Sequence, residues 1–159
     1  EEELEEIRRE LQEGGYLRPD TDRKRMKQAK LPPMRFESTD GYPIYVGRNN
    51  RQNDELTFRL ARKDDIWCHA SKVHGSHVII SCGGTTPPDN TVTQAAQLAA
   101  YYAETGGGQN IPVDVTAVKQ VKKIPNGKPG MVIYHTYRTV IANPYPDIVV
   151  DALNAEKKE

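Results

Sequence analysis

Apolar and polar residues along this chain follow three regimes, and each predicts a different kind of structure. In EEELEEIRRELQEGG, Leu4, Ile7 and Leu11 stand at i, i+3 and i+7 among charges, and Gly14 and Gly15 follow. That spacing predicts a helix with one narrow apolar stripe, too thin to organise a core and suited to the end of a coiled coil, over residues 1–17. Residues 18–35 hold no period, are basic, and contain the helix-breaking Leu31-Pro32-Pro33, so they are expected to be a linker. A folded domain is expected over 36–155.

Within that domain the period alternates between two and about 3.6. Phe36 and the run Ile44-Tyr45-Val46 flank Thr39-Asp40-Gly41, a hairpin signal. NRQNDELTFRLAR lacks Gly and Pro and spaces Leu56, Leu60 and Ala61 for a helix from Asn50 to Arg62. Two short strands, Ile66 to Ala70 and Ser76 to Ser81, are joined by SKVHG and followed by the loop CGGTTPPDN. Thr91 and Gln94 have capping-box spacing and open a second helix that runs to Glu104, before the Gly106–Gly108 stop. VDVTAVKQVKKI then alternates, placing Val113, Val115, Ala117, Lys119 and Val121 on one face and Asp114, Thr116, Val118 and Gln120 on the other. Past the turn PNGKPG, the β-branched and aromatic residues of MVIYHTYRTVIANP predict a strand or a pair of strands. The expected fold is α+β: a largely antiparallel sheet with two main helices, preceded by the coiled-coil-end helix and the basic linker.

Composition changes this picture mainly through charge. Net charge is zero, yet residues 1–17 carry −5, residues 18–35 carry +5, and residues 36–155 hold eleven acids against eleven bases. A basic hinge beside an acidic helix suits contact with a polyanion, and equally a solvated linker. Two cysteines without a regular framework favour a reducing, cytoplasmic setting over a disulfide-stapled secreted module, and a mean hydropathy of −0.73 suggests that part of the length is solvated. No apolar run approaches bilayer length, so no membrane partner is expected. The opening EEELEEIRREL looks like a cut inside a longer protein.

Candidate chemistry concentrates in DIWCHASKVHGSHVIIS, which holds the sole Trp and three of four His. Strand alternation puts Ile66, Cys68 and Ala70 on one side and Trp67 with His69 on the other; Val78, Ile80 and Cys82 likewise oppose His77 and Ile79. Cys68 and His69 therefore diverge, which argues against a zinc site and against a Cys-His nucleophile pair, so no metal, no cofactor and no enzymatic activity are expected. The imidazoles could simply bond strand-end backbone groups. Alternatively Trp67, His69 and His77, with Arg62, Lys63 and Lys72 close in sequence, form a planar and cationic ledge for bases and phosphates. Lys119, Lys122, Lys123 and Lys128 make a second basic cluster, either a solvated edge or a phosphate contact.

Taken in order, RFESTDGYPIYVGRNNRQNDELTFRLAR, DIWCHASKVHGSHVII and VKQVKKIPNGKPGMVIY resemble the NFACT-R domain found at the C-terminus of RqcH/NEMF-type proteins, whose bacterial members are often labelled fibronectin-binding proteins. The likeness spans about residues 34 to 145 and departs at Cys68 and His135. It implies an RNA-binding, ribosome-associated quality-control module with the large ribosomal subunit and tRNA as partners, supporting C-terminal alanine tailing of stalled nascent chains. The alternative is a surface adhesin module whose partner is fibronectin. Carried onto this chain, the resemblance and the basic clusters nominate Arg48, Arg51, Arg62, Lys63, Trp67, His69, Lys72, His77, Lys119, Lys122, Lys123 and Lys128 for nucleic-acid contact. Gly47, Asn49, Asn50, Asn53, Asp65, Gly75, Ser76, Pro129 and Gly130 would be structural motif positions.

Overall fold

The computed structural model describes residues 31–105 and 108–144. The predicted coiled-coil helix, most of the basic linker, Gly106, Gly107 and residues after 144 lie outside that range. β1 (Met34–Glu37) and β2 (Pro43–Val46) form the hairpin signalled by Asp40-Gly41; Glu37 pairs with Pro43, and Gly41 turns the chain at φ 88°. Met34 is already part of the buried core.

The first predicted helix is real but changes pitch. α1 (Asn50–Glu55) starts at Asn49, whose side chain accepts the Gln52 amide, an N-cap of the expected kind. Leu56–Leu60 continue as a π-helical segment closed by the Ala61 amide on the Leu56 carbonyl at 2.9 Å. Gln52, Asn53, Leu56 and Thr57 are all buried along one side of this helix. Such single-turn π insertions commonly mark functional positions.

β3 (Ile66–Ala70) matches its expected bounds, whereas β4 (Val78–Ile80) is shorter than predicted. His77 leaves the ladder because its amide donates to the Asn53 Oδ1 instead, at 3.0 Å. α2 (Asp89–Tyr101) stops three residues before Glu104. Its supposed capping pair is used elsewhere: the Thr91 hydroxyl bonds Ser38 and Asp40, and Gln94 Oε1 accepts the Thr39 amide. These bonds tie the helix to the β1–β2 turn.

β5 (Ile111–Ala117) is followed by a 3₁₀ turn, Val118–Gln120, and by the short hairpin of β6 (Lys122–Lys123) and β7 (Val132–Ile133); β8 (Arg138–Ala142) then returns along β5. The 3₁₀ turn corrects the predicted alternation. Residues three apart eclipse there, so Val118 and Val121 enter the same apolar cluster rather than opposite faces. The main sheet is antiparallel throughout, ordered β1-β2-β4-β3-β5-β8.

Both faces of this sheet are covered. α2 packs on one, where Cys68, Ala70, Val78, Ile80, Val113 and Val115 meet Ala95, Ala96, Leu98 and Ala99. On the other, α1, the π segment and the β6–β7 hairpin cover Trp67 and Ile79 with Leu56, Val118 and Val121, with Phe58, Val132 and Tyr134 packed around them. The face separation expected of β3 and β4 therefore holds, and both cysteines sit with apolar neighbours. Burial pushes the Cys68 thiol up to about 12, so it is inert as a thiolate.

Candidate nucleic-acid interface

The second face decides what the nominated residues do. Trp67 is 0% exposed and His77 1%, so neither ring stacks on a nucleotide in this structure. Three elements close over them, which strand periodicity could not reveal. Their neighbourhood is an aromatic cluster: Trp67 lies parallel to His69 at 5.5 Å between centroids, and meets Tyr134 at 4.8 Å and 62°. His77 sits edge-on to both Trp67 and His69, at 5.4 Å in each case.

Hydrogen bonds fix the proton on His77. The Trp67 indole can only donate, and its Nε1 lies 3.1 Å from His77 Nδ1, so Nδ1 is an acceptor that also takes the Thr57 hydroxyl at 2.7 Å. Nε2 then carries the hydrogen and donates to the Gly130 carbonyl at 3.0 Å. Every polar atom of the ring is used. Protonation would bury a charge and turn Nδ1 toward two donors; burial, then the neighbouring His69, lowers the pKa to about 3. His69 is shifted down as well, chiefly by burial and against the opposing pull of backbone bonds at Ala70 and Gly75 and of Asp114. Its Nδ1 donates to the Ala70 carbonyl at 2.7 Å.

His77 thereby joins three segments distant in sequence: Thr57 of the π segment, Trp67 of β3, and Gly130 at the base of the basic hairpin. The other motif positions support that junction. Gly47 has no room for a Cβ because the Asn53 amide occupies the space, and its own N–H donates to the His77 carbonyl at 3.1 Å. Gly130 adopts φ 83° against Asn50, whose Oδ1 also meets His74 Nε2 at 3.1 Å. Gly75 bridges Ala103 too closely for any side chain, and the Ser76 amide reaches the Tyr102 carbonyl at 3.3 Å. Buried Asp65 accepts the amides of Arg62, Cys82 and Gly83 at 2.9, 3.0 and 2.9 Å. Half-buried Pro129 precedes the Gly130 turn.

Asp114, Tyr134, Thr57 and Asp54 belong to the same assembly and were missed. Asp114 Oδ2 accepts the Tyr134 hydroxyl at 2.6 Å and Oδ1 the Thr139 hydroxyl at 2.9 Å. Burial and this carboxylate together push the Tyr134 phenol far up. A lone acid within the alternating apolar run of β5 was the available signal.

The nominated cations differ in their surroundings. Several are committed to intramolecular contacts: Lys123 Nζ is 2.7 Å from Asp54 and 5.6 Å above the Phe58 ring, Lys119 is 3.4 Å from Asp64, Arg51 is 3.6 Å from Glu55, and Arg62 is 4.0 Å from Asp65. Arg48 Nε donates to the Pro32 carbonyl at 2.7 Å. Lys63 and Lys128 are exposed, and Lys72 is exposed on a left-handed turn at φ 59°. Lys122 pairs with Ile133 across the hairpin, and cross-strand partners share a face, so both point outward while Lys123 and Val132 point inward. Among the described residues Lys122 makes no ion pair. Lys63 and Lys119 are also adjacent, through the Lys119 amide on the Lys63 carbonyl at 3.0 Å. No acid occurs between Val115 and Pro146, so the acids that meet Lys123 and Lys119 come from other segments, Asp54 and Asp64. The structure thus brings the lysines of the second cluster onto one projecting hairpin and its approach, and separates them from the buried Trp67 and His77.

Comparison with known proteins agrees with the order of motifs. Residues 33–136 match the family described as NFACT protein RNA binding domain. The protein named "Rqc2 homolog RqcH" of Bacillus subtilis (strain 168) is 45% identical over 150 residues, covering 92% of this chain and 26% of its own length. Its namesake in Streptococcus suis (strain 05ZYH33) is 42% identical over 146 residues, covering 91% of this chain. The solved C-terminal part of the fibronectin/fibrinogen-binding protein from Streptococcus suis superimposes with a TM-score of 0.73 at 38% identity, covering 94% of this chain and 59% of that one. This chain spans about a quarter of the length of the curated relatives, 26%. It belongs to the NFACT RNA-binding domain family and corresponds to the NFACT-R domain of RqcH-type proteins.

Proposed function

We propose that this domain is a non-catalytic RNA-contacting module of a cytoplasmic, ribosome-associated quality-control factor. It would engage the large ribosomal subunit and tRNA while a nascent chain is extended with alanine, the peptide-bond chemistry belonging to the ribosome. The observation that carries this reading is the outward-facing Lys122 on a hairpin without acids, in a chain of an RNA-binding domain family. Phosphates are the natural counter-charge for such a surface, and each neutralised phosphate releases condensed cations and steepens the salt dependence of binding. Lys63, Lys119 and Lys128 extend the same surface.

The test is salt-titrated binding of the chain to tRNA and to purified large subunits. Lys122→Ala should weaken both and lower the slope of log affinity against log salt by about one contact, with the melting temperature unchanged. Equal affinity and slope in the variant would remove Lys122 from the interface.

A second reading follows from the name of the Streptococcus suis relative, which describes binding to fibronectin and fibrinogen. β1 and β8 are the edges of the main sheet, and an extended peptide can add a strand to such an edge. Immobilised fibronectin that retains the chain in physiological salt, with no retention on tRNA, would favour this reading over RNA.

A further inference from the structure

At the end of the sheet opposite the β1 edge, a cleft of about 390 Å³ opens between β5, β8 and the start of α2, its wall formed by Thr116, Tyr137 and Arg138 and its far side by Thr86, Asp89 and Val92. We propose that this cleft receives one unpaired RNA nucleotide, the base lying on Tyr137 and a phosphate held by Arg138. The inference rests on the RNA reading above and adds what part of an RNA is taken, and where.

Size comes first: ligand pockets commonly run from about 300 to 1,000 Å³. The cleft lies at the lower end of that range, suited to one nucleotide rather than a helical segment. Tyr137 is 49% exposed, which a ring serving only the core would not be. It is nonetheless braced. Tyr134 meets it edge-on at 5.1 Å and 84°, and Tyr134 is itself held by Asp114 and packed against Trp67. The carbonyl of the preceding Thr136 accepts the Thr116 hydroxyl at 2.6 Å, which anchors the backbone beside the ring. A ring fixed in advance loses little freedom when a base stacks on it.

The lining supplies the remaining chemistry. Ile66, Val92 and Val115 give an apolar floor for a planar ring. Thr86 and Asp89 offer a hydroxyl and a carboxylate to a base edge, which paired nucleotides would present elsewhere. Arg138 provides the cation, and it lies within the stretch that has no acid. A base can also donate to the Asp89 carboxylate while its phosphate sits on Arg138.

Anisotropy titrations of a labelled single-stranded oligoadenylate and of a blunt RNA duplex separate the possibilities. Tyr137→Ala should weaken the single strand about tenfold or more, the loss expected for one stacked base, and leave the duplex within about twofold. Tyr137→Phe should bind both like the wild type. If Tyr137→Ala binds oligoadenylate normally while Lys122→Ala does not, the cleft is not the site and the RNA reading stands. A wild-type chain that binds neither RNA overturns both. Independently of any variant, photocrosslinking the wild-type chain to 4-thiouridine-containing single-stranded RNA should label the peptide bearing Tyr137; adducts confined to other peptides overturn the assignment.

Discussion

The two faces of the main sheet are held by different physics. Against α2, the contacts are almost all aliphatic: Ala95, Ala96, Leu98 and Ala99 lie on Val78, Ile80, Val113 and Cys68. Area removed from water stabilises this side, and such packing is non-directional. On the opposite face a smaller apolar cluster surrounds a string of directional bonds running from Thr57 and Trp67 through His77 to Gly130. What that string secures is the β6–β7 hairpin, with two ladder residues per strand. A two-stranded hairpin is marginal alone, so its placement depends on the sheet beneath it. The difference teaches that Trp67 and His77 hold the β6–β7 hairpin in place instead of presenting their rings to solvent; in the function proposed above, they would position its lysines.

Truncating the centre of each face is the strongest way to break this comparison. Trp67→Ala should cost about 3–5 kcal/mol and Leu98→Ala about 2–5 kcal/mol in urea unfolding. Only the former should also free the hairpin, seen as faster amide exchange at Lys122, Lys123 and Val132 in the remaining folded protein. Comparable acceleration in Leu98→Ala would mean that the two faces are not separately organised.

His77→Ala comes next, at about 2–3 kcal/mol, because it takes away the partner of the buried Trp67 indole and of the Gly130 carbonyl. A loss below about 0.5 kcal/mol would show that water replaces the imidazole without penalty. Acidification acts on the same residue. The folded pKa of His77 is about 3 against an ordinary 6.5, so between these values the unfolded chain binds a proton that the folded chain refuses. Stability is therefore full above about pH 6.5 and falls as the pH drops toward 3, by at most about 1.4 kcal/mol per unit for this one group. His77→Phe should flatten that part of the pH profile; an unchanged slope would assign it to other groups, His69 among them.

The smallest effect belongs to Lys123→Met. Its partner Asp54 is largely buried while the ammonium is mostly exposed, so the pair should contribute about 1 kcal/mol or less, and methionine keeps the contact with Phe58. RNA affinity should fall less than for Lys122→Ala, since the Lys123 ammonium is already paired with Asp54. A larger fall would mean that RNA displaces Asp54.

Much of the fold was legible because periodicity is local. The β1–β2 hairpin, the bounds of β3, the opposing faces of Cys68 and His69, and the existence of both helices follow from spacing that any short window contains. The errors cluster where a distant group competes for a local one. Thr91 and Gln94 have the right spacing for a cap but bond the β1–β2 turn. His77 has strand periodicity but gives its amide to Asn53. The 3₁₀ turn at Val118 shifts the phase of all that follows it.

For the candidate site, sequence alone determined the chemistry available: an acid-free stretch of lysines, one Trp among imidazoles, cysteines that travel with aliphatics, and a motif order specific enough to mark the family. Only the tertiary structure decided which groups reach solvent. Alternation sorts side chains between two faces of a strand, but it carries no information on whether a face is later covered. Here α1, its π-helical continuation and a hairpin from far along the chain close over Trp67 and His77, leaving Lys122 and Tyr137 outside. That covering is a long-range event, and its physical cause is the apolar area and the buried donors that only the assembled elements could satisfy together.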